Sequence, residues 1–178
     1  MSIYLTRHGQ TDWNKKLLIQ GRIDVPLNDE GILEAKKLRE KVDLLPIDLI
    51  ISSPLLRTRQ TAAILNENKK LKVLIDERII EEFYGQMEGK PRKGEPYLSQ
   101  RQKVATRYPG GESYLDVAYR IFSFLNEAKS IYKDKNVFVV SHGGVSRLFN
   151  AYFEDMSNEE FFAYNLGNCE IKKYDFVY

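Results

Sequence analysis

The sequence predicts an α/β fold in one domain, built on a largely parallel sheet. Four short apolar runs have the composition of buried strands, at residues 3–5, 47–51, 72–75 and 137–140. Segments whose apolar residues recur at helical spacing lie between them. Strands that alternate with helices favour parallel pairing, because a parallel connection must cross back over the sheet. A chain of 178 residues is long enough to bury one sizeable core.

Two helices are predicted in the first half of the chain. Asn28 is placed to cap the first helix. The apolar face of that helix holds Ile32, Ala35, Leu38 and Val42. The second helix is predicted to have Ser53 as its N-cap and Pro54 at its first helical position. This places Arg57 in the first turn, and because helical side chains lean toward the N-terminus, its guanidinium points back at the carboxyl end of the preceding strand.

The longest helix is predicted between residues 113 and 132. Ser113 and Asp116 have the spacing of a capping box. Its apolar side chains fall on two faces, which predicts burial on most sides. The first face holds Leu115, Tyr119, Phe122 and Leu125, and the second holds Val117, Ile121, Phe124, Ala128 and Ile131.

The last third of the chain is predicted to form two further helices and an edge strand. One helix runs from about Gly144 to Tyr152, and a capping box at Ser157 begins a shorter one. Alternating polarity over residues 169–177 is typical of a strand at the edge of a sheet.

Residues 86–111 differ in composition from the rest of the single domain predicted for residues 1–178. Glycine and proline are frequent there, and the periodicity is poor. The basic residues Lys90, Arg92, Lys93, Arg101, Lys103 and Arg107 outnumber the acidic residues Glu88 and Glu95. We expect a lid-like insertion over the edge of the sheet, with one short helix at about residues 97–107. A basic lid suits an anionic substrate, although a solvated loop explains the same composition equally well.

Composition narrows the class of protein. The chain has 27 Lys and Arg residues and 25 Asp and Glu residues, which gives a net charge of +2. Such a balanced charge does not indicate nucleic-acid binding. No apolar run approaches the roughly 20 residues of a membrane span, and the N-terminus lacks the pattern of a signal peptide. Cys169 has no second cysteine to pair with, which fits a reducing compartment. We therefore expect a cytoplasmic protein with neither a membrane nor a nucleic acid as its partner.

The chain contains two histidines, and each of them ends a predicted strand and precedes a glycine. The first motif contains Arg7, His8 and Gly9, and the second begins at His142. The carboxyl ends of parallel strands meet at one edge of a sheet, where ligands bind. Neutral histidine is a nucleophile at pH 7, and arginine can fork onto an oxyanion. The pattern predicts a nucleophilic site for an anion, and the alternative is two core histidines bonded to the backbone.

Further candidates surround this predicted site. Arg57 and the free amides of its helix terminus would together hold an anion. Asn14 is close enough in sequence to donate an amide hydrogen bond to the His8 loop, or it simply forms a turn. An acid on the segment at residues 76–82 would reach the same edge, but four acidic residues lie there and spacing does not choose among them. The two histidines have no compact spacing of metal ligands.

Taken in order, these motifs resemble the histidine phosphatase superfamily, also called phosphoglycerate mutase-like, over nearly the whole chain. The matching residues are Arg7 to Thr11 with Asn14, Gln20-Gly21, Pro26-Leu27, Ser52-Ser53-Pro54 with Arg57, Glu81 four residues before Gly85, Gly110 to Ser113, and Ser141 to Gly144.

The resemblance implies a three-layer α/β sandwich with helices on both faces of the sheet. It implies that His8 attacks phosphorus and becomes a phosphohistidine, with Glu81 as proton donor to the leaving oxygen. The phosphoryl oxygens would be held by Arg7, Asn14, Arg57 and His142, and His142 also counts as catalytic. Gln20 and Gly21 are implied to bind substrate. Neither a metal nor a cofactor is implied.

The resulting expectation is a metal-independent phosphatase that acts on a small phosphorylated metabolite. A cofactor-dependent phosphoglycerate mutase is the nearest alternative, but the mutase branch carries a longer insertion before the second histidine. A non-catalytic module that binds a phosphorylated ligand is another alternative. A serine hydrolase using Ser141 or Ser146 is disfavoured, because the sequence has no Gly-x-Ser-x-Gly elbow.

Overall fold

The computed structural model describes residues 1–95 and 97–176. Within them lies a five-stranded sheet with helices on both faces. The strands are β1 (Ser2–Arg7), β2 (Leu49–Ser52), β3 (Lys72–Ile75), β4 (Asn136–Ser141) and β5 (Ile171–Asp175). Their spatial order is β3-β2-β4-β1-β5. The first four strands pair in parallel, and β5 lies antiparallel to β1 at one edge. The mostly parallel sheet and the edge strand at the end of the chain are therefore confirmed, and Val177, the last residue predicted for that strand, lies outside the described residues.

The helices occupy both faces and the carboxyl edge of the sheet. In the described part of the chain they are α1 (Asp12–Lys15), α2 (Asp29–Asp43), α3 (Leu56–Leu65), α4 (Tyr97–Arg101), α5 (Tyr114–Ile131), α6 (Gly143–Phe153) and α7 (Asn158–Ala163), with 3-10 turns at Glu77–Ile79 and Gly85–Met87. Among these residues no helix has the length and apolar character needed to cross a membrane. The short helix predicted at about residues 97–107 is present as α4, but it ends at Arg101, six residues before the predicted end.

Alternate side chains of the strands enter two separate hydrophobic cores. Ile3 and Leu5 of β1 pack with residues of α5 and α6 on one face, whereas Tyr4 packs with residues of α2 and α3 on the other. Successive strand residues point to opposite faces, so each central strand supplies both cores. The result is the three-layer arrangement that was predicted.

The register of the two central strands brings the histidines together. β1 and β4 pair from Ser2 with Asn136 to Arg7 with Ser141, so both strands end at the same level. His8 and His142 follow directly, and their ring centroids lie 5.3 Å apart. The parallel sheet thus builds the predicted crevice from two segments more than 130 residues apart in sequence.

The predicted start of α3 is wrong by two residues. The helix begins at Leu56, and the N-cap residue Leu55 provides no side-chain hydrogen bond. The Ser53 hydroxyl lies 2.7 Å from His142 Nε2, so it belongs to the histidine site and not to the helix terminus. The free amide of Leu56 instead donates to Asp24 Oδ1 at 2.6 Å. A carboxylate distant in sequence therefore takes the place of the predicted cap.

The predicted burial of α5 on most sides is also wrong. Leu115 is 56% exposed and Tyr119 82% exposed, and Ile131 is exposed as well. The helix packs on the sheet with one side, through Val117, Ile121 and their neighbours, and the other side faces solvent. Apolar side chains at helical spacing do not reveal whether anything covers the second face. The capping box of Ser113 and Asp116 is confirmed.

Candidate active site

His8 is held in one tautomer by its hydrogen bonds. Its Nδ1 lies 2.7 Å from the carbonyl oxygen of Gly9, which can only accept, so Nδ1 carries the proton. Nε2 is therefore unprotonated, and its lone pair accepts a hydrogen bond from Arg57 Nε at 3.1 Å. Burial, together with the charges of Arg57 and Arg7, holds the pKa of His8 well below its usual range. His8 is therefore a neutral imidazole at pH 7, with the lone pair on Nε2.

Gly9 allows the His8 loop to pack closely on the start of α2. A Cβ at Gly9 would lie 2.4 Å from the carbonyl oxygen of Gly31, which is closer than any side chain tolerates. The Gly9 amide donates to Thr61 on α3 at 3.1 Å, and Asn168 donates to the His8 carbonyl at 2.6 Å. Three separate segments therefore fix the backbone around His8.

Arg57 lies fully buried beside His8, as its position in the first turn of α3 predicts. Its other hydrogen bonds are to the carbonyl oxygens of Gly21, at 2.7 Å, and Ile23, at 3.2 Å. Burial lowers the pKa of Arg57 to about 10, so the side chain still carries its charge at pH 7. A cation satisfied by neutral carbonyls keeps its charge available for an anionic ligand.

Arg7 places a second buried cation at the start of α6. Its Nη1 donates to the Leu166 carbonyl at 3.4 Å, and its Nε makes no hydrogen bond within the described residues. The start of α6 packs on this guanidinium, because a Cβ on Gly143 would lie in ordinary van der Waals contact with that Nε, at 3.5 Å. Burial lowers the pKa of Arg7 to about 10, and it too remains charged at pH 7.

His142 occupies the N-cap position of α6 and is fully buried. Its Nε2 pairs with the Ser53 hydroxyl, and its Nδ1 has no partner in the part of the chain that is described. Burial and the neighbouring Arg57 hold the pKa of His142 well below its usual range. Both histidines are thus neutral in a site whose positive charge comes from arginine.

Glu81 is the acidic residue that reaches this edge. Its two carboxylate oxygens accept from the backbone amides of Gly144, at 3.2 Å, and Glu82, at 3.0 Å. A Cβ on Gly144 would lie 2.6 Å from Glu81 Oε1, so any larger residue would displace the carboxylate from this position. The start of α6 therefore fixes the orientation of Glu81.

Glu82, the adjacent acid, is buried and does not line the cavity described below. It is 1% exposed, and its oxygens make no hydrogen bond of good geometry within the described residues. Burial and the adjacent Glu81 charge raise the pKa of Glu82 to about 8, outweighing the lowering by the Tyr84 hydroxyl. Of the two adjacent carboxyl groups, Glu81 lines the cavity described below.

An arginine clamp, consisting of Arg120 and Glu112, holds the loop that carries Glu81. Arg120 Nη1 donates to the carbonyls of Arg78 and Ile80, both at 2.6 Å, and Nη2 donates to the Glu81 carbonyl at 3.2 Å. Glu112 pairs with Arg120 at 3.1 Å and accepts from the Phe83 amide at 2.9 Å. This clamp was not predicted from the sequence, because it joins residues through backbone carbonyls that have no sequence signature.

The remaining predicted residues, Asn14, Gln20 and Gly21, contact the loop after His8 and the side chain of Arg57. Asn14 does fold back on the His8 loop, but its Oδ1 accepts from the Thr11 amide at 3.2 Å, and its Nδ2 donates to Gln20 at 3.2 Å. Gln20 also accepts from the Thr11 hydroxyl at 2.7 Å. Gly21 acts through its carbonyl, which holds Arg57. In this structure the contacts of these residues are thus with the loop and with Arg57.

A cavity of about 360 Å³ opens beside Glu81. Its lining residues are Arg7, Glu81, Tyr84, Arg92, Tyr97, Arg101, Gly143, Gly144, Arg147, Phe162, Ala163 and Asn165. Arg147 was not a predicted site residue. The sequence could have predicted this position, because Arg147 lies in the first turns of α6 and helical side chains lean toward the start of the helix.

Comparison with known proteins assigns the family. A model of the histidine phosphatase superfamily (branch 1) matches residues 3–177. The chain belongs to the histidine phosphatase superfamily. The resemblance inferred from the motifs is thereby confirmed.

The superfamily relatives include both phosphatases and mutases. The uncharacterized phosphatase PhoE of Bacillus subtilis (strain 168) is 35% identical over 80% of this chain and 72% of its own length. A 2,3-bisphosphoglycerate-dependent phosphoglycerate mutase of Chlamydia pneumoniae is 31% identical over 89% of this chain and 86% of its own. The crystal structure of the alpha-ribazole phosphatase from Shigella flexneri superimposes with a TM-score of 0.88, at 26% identity, over 99% of this chain and 91% of that one.

Proposed function

We propose that this histidine phosphatase superfamily member hydrolyses a small phosphomonoester through a phosphohistidine on His8, without a metal ion or cofactor. The observation that carries the proposal is the hydrogen-bond pattern of His8. Nδ1 donates to Gly9, and the lone pair of Nε2 faces the charged Arg57 in a buried site. A neutral imidazole with one fixed lone pair beside a cation is suited to attack an anionic phosphoryl group.

In the first step, His8 Nε2 forms a bond to phosphorus while the phosphorus–oxygen bond to the leaving group breaks. Protonated Glu81 gives its proton to the leaving oxygen, so that an alcohol departs. Arg7 and Arg57 would neutralise the equatorial oxygens, where fixed charge lowers the barrier most effectively. With Ser53 donating to its Nε2, His142 has an Nδ1 proton free for a phosphoryl oxygen.

In the second step, water attacks phosphorus and the phosphorus–nitrogen bond to His8 breaks. Ionised Glu81 takes a proton from that water, which restores its starting form. Inorganic phosphate is released, and the lone pair returns to Nε2. The backbone amides of Gly144 and Glu82 support this exchange, because they hold the carboxyl group in one position at the edge of the cavity through both steps.

Charged side chains of this chain supply what a metal would otherwise provide. Among the described residues no group of three or more His, Cys, Asp or Glu side chains is placed to hold a metal ion. Two buried guanidiniums instead meet at the strand ends. Asn14 and Gln20 assist by fixing the loop after His8, and Gly21 assists by holding Arg57.

The substrate proposed is a small phosphorylated metabolite, which matches a cavity of about 360 Å³. Residues 86–111 supply Arg92, Tyr97 and Arg101 to its wall, which supports their role as a lid. The balanced charge and the lone Cys169 remain the grounds for expecting a cytoplasmic protein without a nucleic-acid partner. Burial raises the pKa of the Cys169 thiol to about 12, consistent with a packed thiol that takes no part in the chemistry.

The test is hydrolysis of p-nitrophenyl phosphate in EDTA by the wild-type protein and by His8→Ala. We expect chelator-resistant release of phosphate by the wild type and its loss in the variant, with unchanged circular dichroism. Substantial phosphatase activity in His8→Ala would rule out the mechanism.

A phosphoglycerate mutase is the second candidate, favoured by the similarity to the Chlamydia pneumoniae enzyme. A mutase must return the phosphoryl group from His8 to a substrate. Product analysis with 3-phosphoglycerate and catalytic 2,3-bisphosphoglycerate separates the two functions. Isomerised phosphoglycerate indicates the mutase, and inorganic phosphate indicates the phosphatase. Binding without either product indicates the non-catalytic module.

A further inference from the structure

The orientation of Arg57 depends on a short loop at residues 21–23. Arg57 Nη2 donates to the Gly21 carbonyl at 2.7 Å and Nη1 donates to the Ile23 carbonyl at 3.2 Å, while Nε donates to His8 Nε2 at 3.1 Å. Because the guanidinium is planar, two carbonyls that bind its outer nitrogens also decide where Nε points. Whatever fixes the loop therefore fixes the contact between Arg57 and His8.

One carboxylate holds this loop. Glu88 Oε1 accepts from the Arg22 amide at 2.8 Å, and Glu88 Oε2 accepts from the Ile23 amide at 2.9 Å. Hydrogen bonds from backbone amides to an ionised carboxylate are stronger than those between neutral groups. The Arg22 amide and the Gly21 carbonyl belong to the same peptide unit, which is planar. Glu88 and Arg57 therefore hold opposite sides of one rigid group.

Gly21 packs directly against this carboxylate. A Cβ at Gly21 would overlap Glu88 Oε1, and it would lie 2.6 Å from the Glu82 carbonyl oxygen. A larger residue would thus displace either the carboxylate or the loop that carries Glu81. The close packing keeps the Glu88 carboxylate against the backbone that it holds.

Glu88 also connects the loop to the start of the 86–111 segment. Directly after it, the Gly89 amide donates to the Ile19 carbonyl at 2.9 Å, and the Ile19 amide donates to the Lys90 carbonyl at 2.8 Å. The first residues of the segment are therefore paired with the chain that leads into the loop. The Glu88 carboxylate extends this pairing to the peptide units beside Arg57.

We propose that Glu88 is a positioning residue, which holds the loop at residues 21–23 so that Arg57 meets both His8 and the phosphoryl group. The inference rests on the proposed phosphatase function and adds a residue to it. Glu88 is not among the residues that line the cavity beside Glu81, so its effect on the reaction passes through Arg57. Burial lowers the pKa of Arg57, and the charge of Glu88 opposes that shift.

Glu88→Gln tests the proposal, with p-nitrophenyl phosphate as substrate. The new side chain keeps one acceptor oxygen, but its NH2 group faces the second backbone amide, so that two donors oppose each other. We expect kcat/KM to fall about tenfold, a smaller loss than that caused by Arg57→Met. Glu88→Asp keeps the charge and can accept from one amide, so it should retain more activity than Glu88→Gln.

A double-mutant cycle shows whether Glu88 acts through Arg57. In the Arg57→Met background, Glu88→Gln should lower kcat/KM by less than about twofold, because the group that Glu88 positions is absent. An equal loss in both backgrounds would show that Glu88 acts independently of Arg57, and the proposal would be overturned.

The pH–rate profile separates displacement of Arg57 from a general loss of structure. The cations that act on His8 are Arg57, Arg7 and Arg92, and His142 is its neutral neighbour. Burial and the charge of Arg57 hold the pKa of His8 down, so moving Arg57 away raises that pKa. The activity of Glu88→Gln should therefore decline on the acidic side at a higher pH than in the wild type. An unchanged acidic limb would contradict the proposal.

Asp48→Asn is the matched control. Asp48 Oδ2 accepts from the Asn136 amide at 2.7 Å, at the end of the sheet opposite the histidines. This variant weakens the same kind of hydrogen bond away from the site, so its kcat/KM and its acidic limb should equal those of the wild type. Circular dichroism and thermal melts establish that each variant is folded. If Glu88→Gln is unfolded, Glu88→Asp takes its place in the cycle.

Calorimetric titration with inorganic phosphate makes the test independent of turnover. Glu88→Gln should bind phosphate more weakly than the wild type, whereas in the Arg57→Met background the same change should leave phosphate binding as it is. If the wild type hydrolyses no ester, the phosphatase proposal fails, and phosphate binding still decides the role of Glu88. If the wild type is active and Glu88→Gln changes neither kcat/KM nor phosphate binding, the positioning proposal alone fails.

Discussion

The two ends of the site are built differently. At the strand ends, His8, Arg57 and His142 are buried, and their neighbours fix the tautomer of His8 and the direction of Arg57. At the far wall of the cavity beside Glu81, Arg92 and Arg101 lie on a partly exposed segment and have few partners among the described residues. Side chains that act directly on the reacting atoms need a rigid backbone to hold them in place. Side chains that only select the substrate can lie on a more mobile and more variable segment. Four predictions test this division, from the largest expected effect to the smallest.

Removing Arg57, one of the two cations at the strand ends, should have the largest effect. Arg57→Met removes both the hydrogen bond to His8 Nε2 and one buried charge, and kcat/KM should fall by about a hundredfold to a thousandfold. Because Arg57 holds the pKa of His8 down, its loss should raise that pKa, and the remaining activity should decline on the acidic side at a higher pH than in the wild type. The pH–rate profile with p-nitrophenyl phosphate measures both effects. A decrease of less than tenfold would contradict the assigned role.

Displacing the acid should separate substrates by their leaving group. In Gly144→Ala the new Cβ would lie 2.6 Å from Glu81 Oε1, which forces the carboxyl group to move. Alkyl phosphates need a proton on the leaving oxygen, so kcat for them should fall about tenfold to a hundredfold. p-Nitrophenolate leaves without a proton, and its ester should be affected much less.

Gly94→Ala is the matched control for that variant. A Cβ at Gly94 meets only the Pro91 carbonyl, at an ordinary 3.8 Å, so both classes of ester should react as in the wild type. Equal losses on alkyl and nitrophenyl esters in Gly144→Ala would argue against Glu81 as the acid.

Removing the arginine of the clamp should affect the whole loop that carries Glu81. Arg120→Met leaves the carbonyls of Arg78, Ile80 and Glu81 without their donor, and stability should fall by about 2–4 kcal/mol. Activity on alkyl phosphates should fall more than activity on p-nitrophenyl phosphate, because the loop carries Glu81. Urea unfolding and the ratio of the two rates measure these effects. Arg59→Met, an exposed arginine on α3, should change neither.

Glu82 should make stability depend on pH. Its folded pKa, about 8, lies above that of an unfolded glutamate, so the folded state holds the extra proton between these values. Stability contributed by this group is therefore lost as the pH rises from about 5 toward 8, by at most about 1.4 kcal/mol for each unit. Glu82→Gln removes the titration, and its melting temperature relative to wild type should increase with pH over this range. A difference independent of pH would contradict the buried, protonated form.

The sequence was most informative where local chemistry decides the structure. The helix caps at Asn28, Ser113 and Ser157 are present as predicted, because each cap depends on residues within one turn. Arg57 lies beside His8 as expected, since helical geometry alone aims its side chain at the strand end. The order of strands and helices was enough to predict a mostly parallel sheet and the meeting of the two histidines at one edge, whereas the three layers were implied by the family resemblance.

The sequence was least informative where a residue finds its partner at a distance. Ser53 looked like a helix cap, but its hydroxyl is used by His142, and the terminus of α3 is capped by Asp24 from another loop. Arg120 donates to three carbonyls of the loop that carries Glu81, about 40 residues earlier in the chain. Tyr119 is exposed because nothing packs on that side of α5 within the described chain. Such contacts follow from how the segments pack, which spacing along the sequence does not encode.

The most direct test of the central claim is to find the phosphoryl group on the protein during turnover. The wild-type protein is mixed with an excess of p-nitrophenyl phosphate and quenched in alkali, where phosphohistidine persists, and its peptides are mapped by mass spectrometry. The account predicts a phosphoryl group on the peptide containing His8, attached through Nε2, and none on the peptide containing His142. Steady turnover with an unmodified His8, or phosphorylation of His142 in its place, would contradict it.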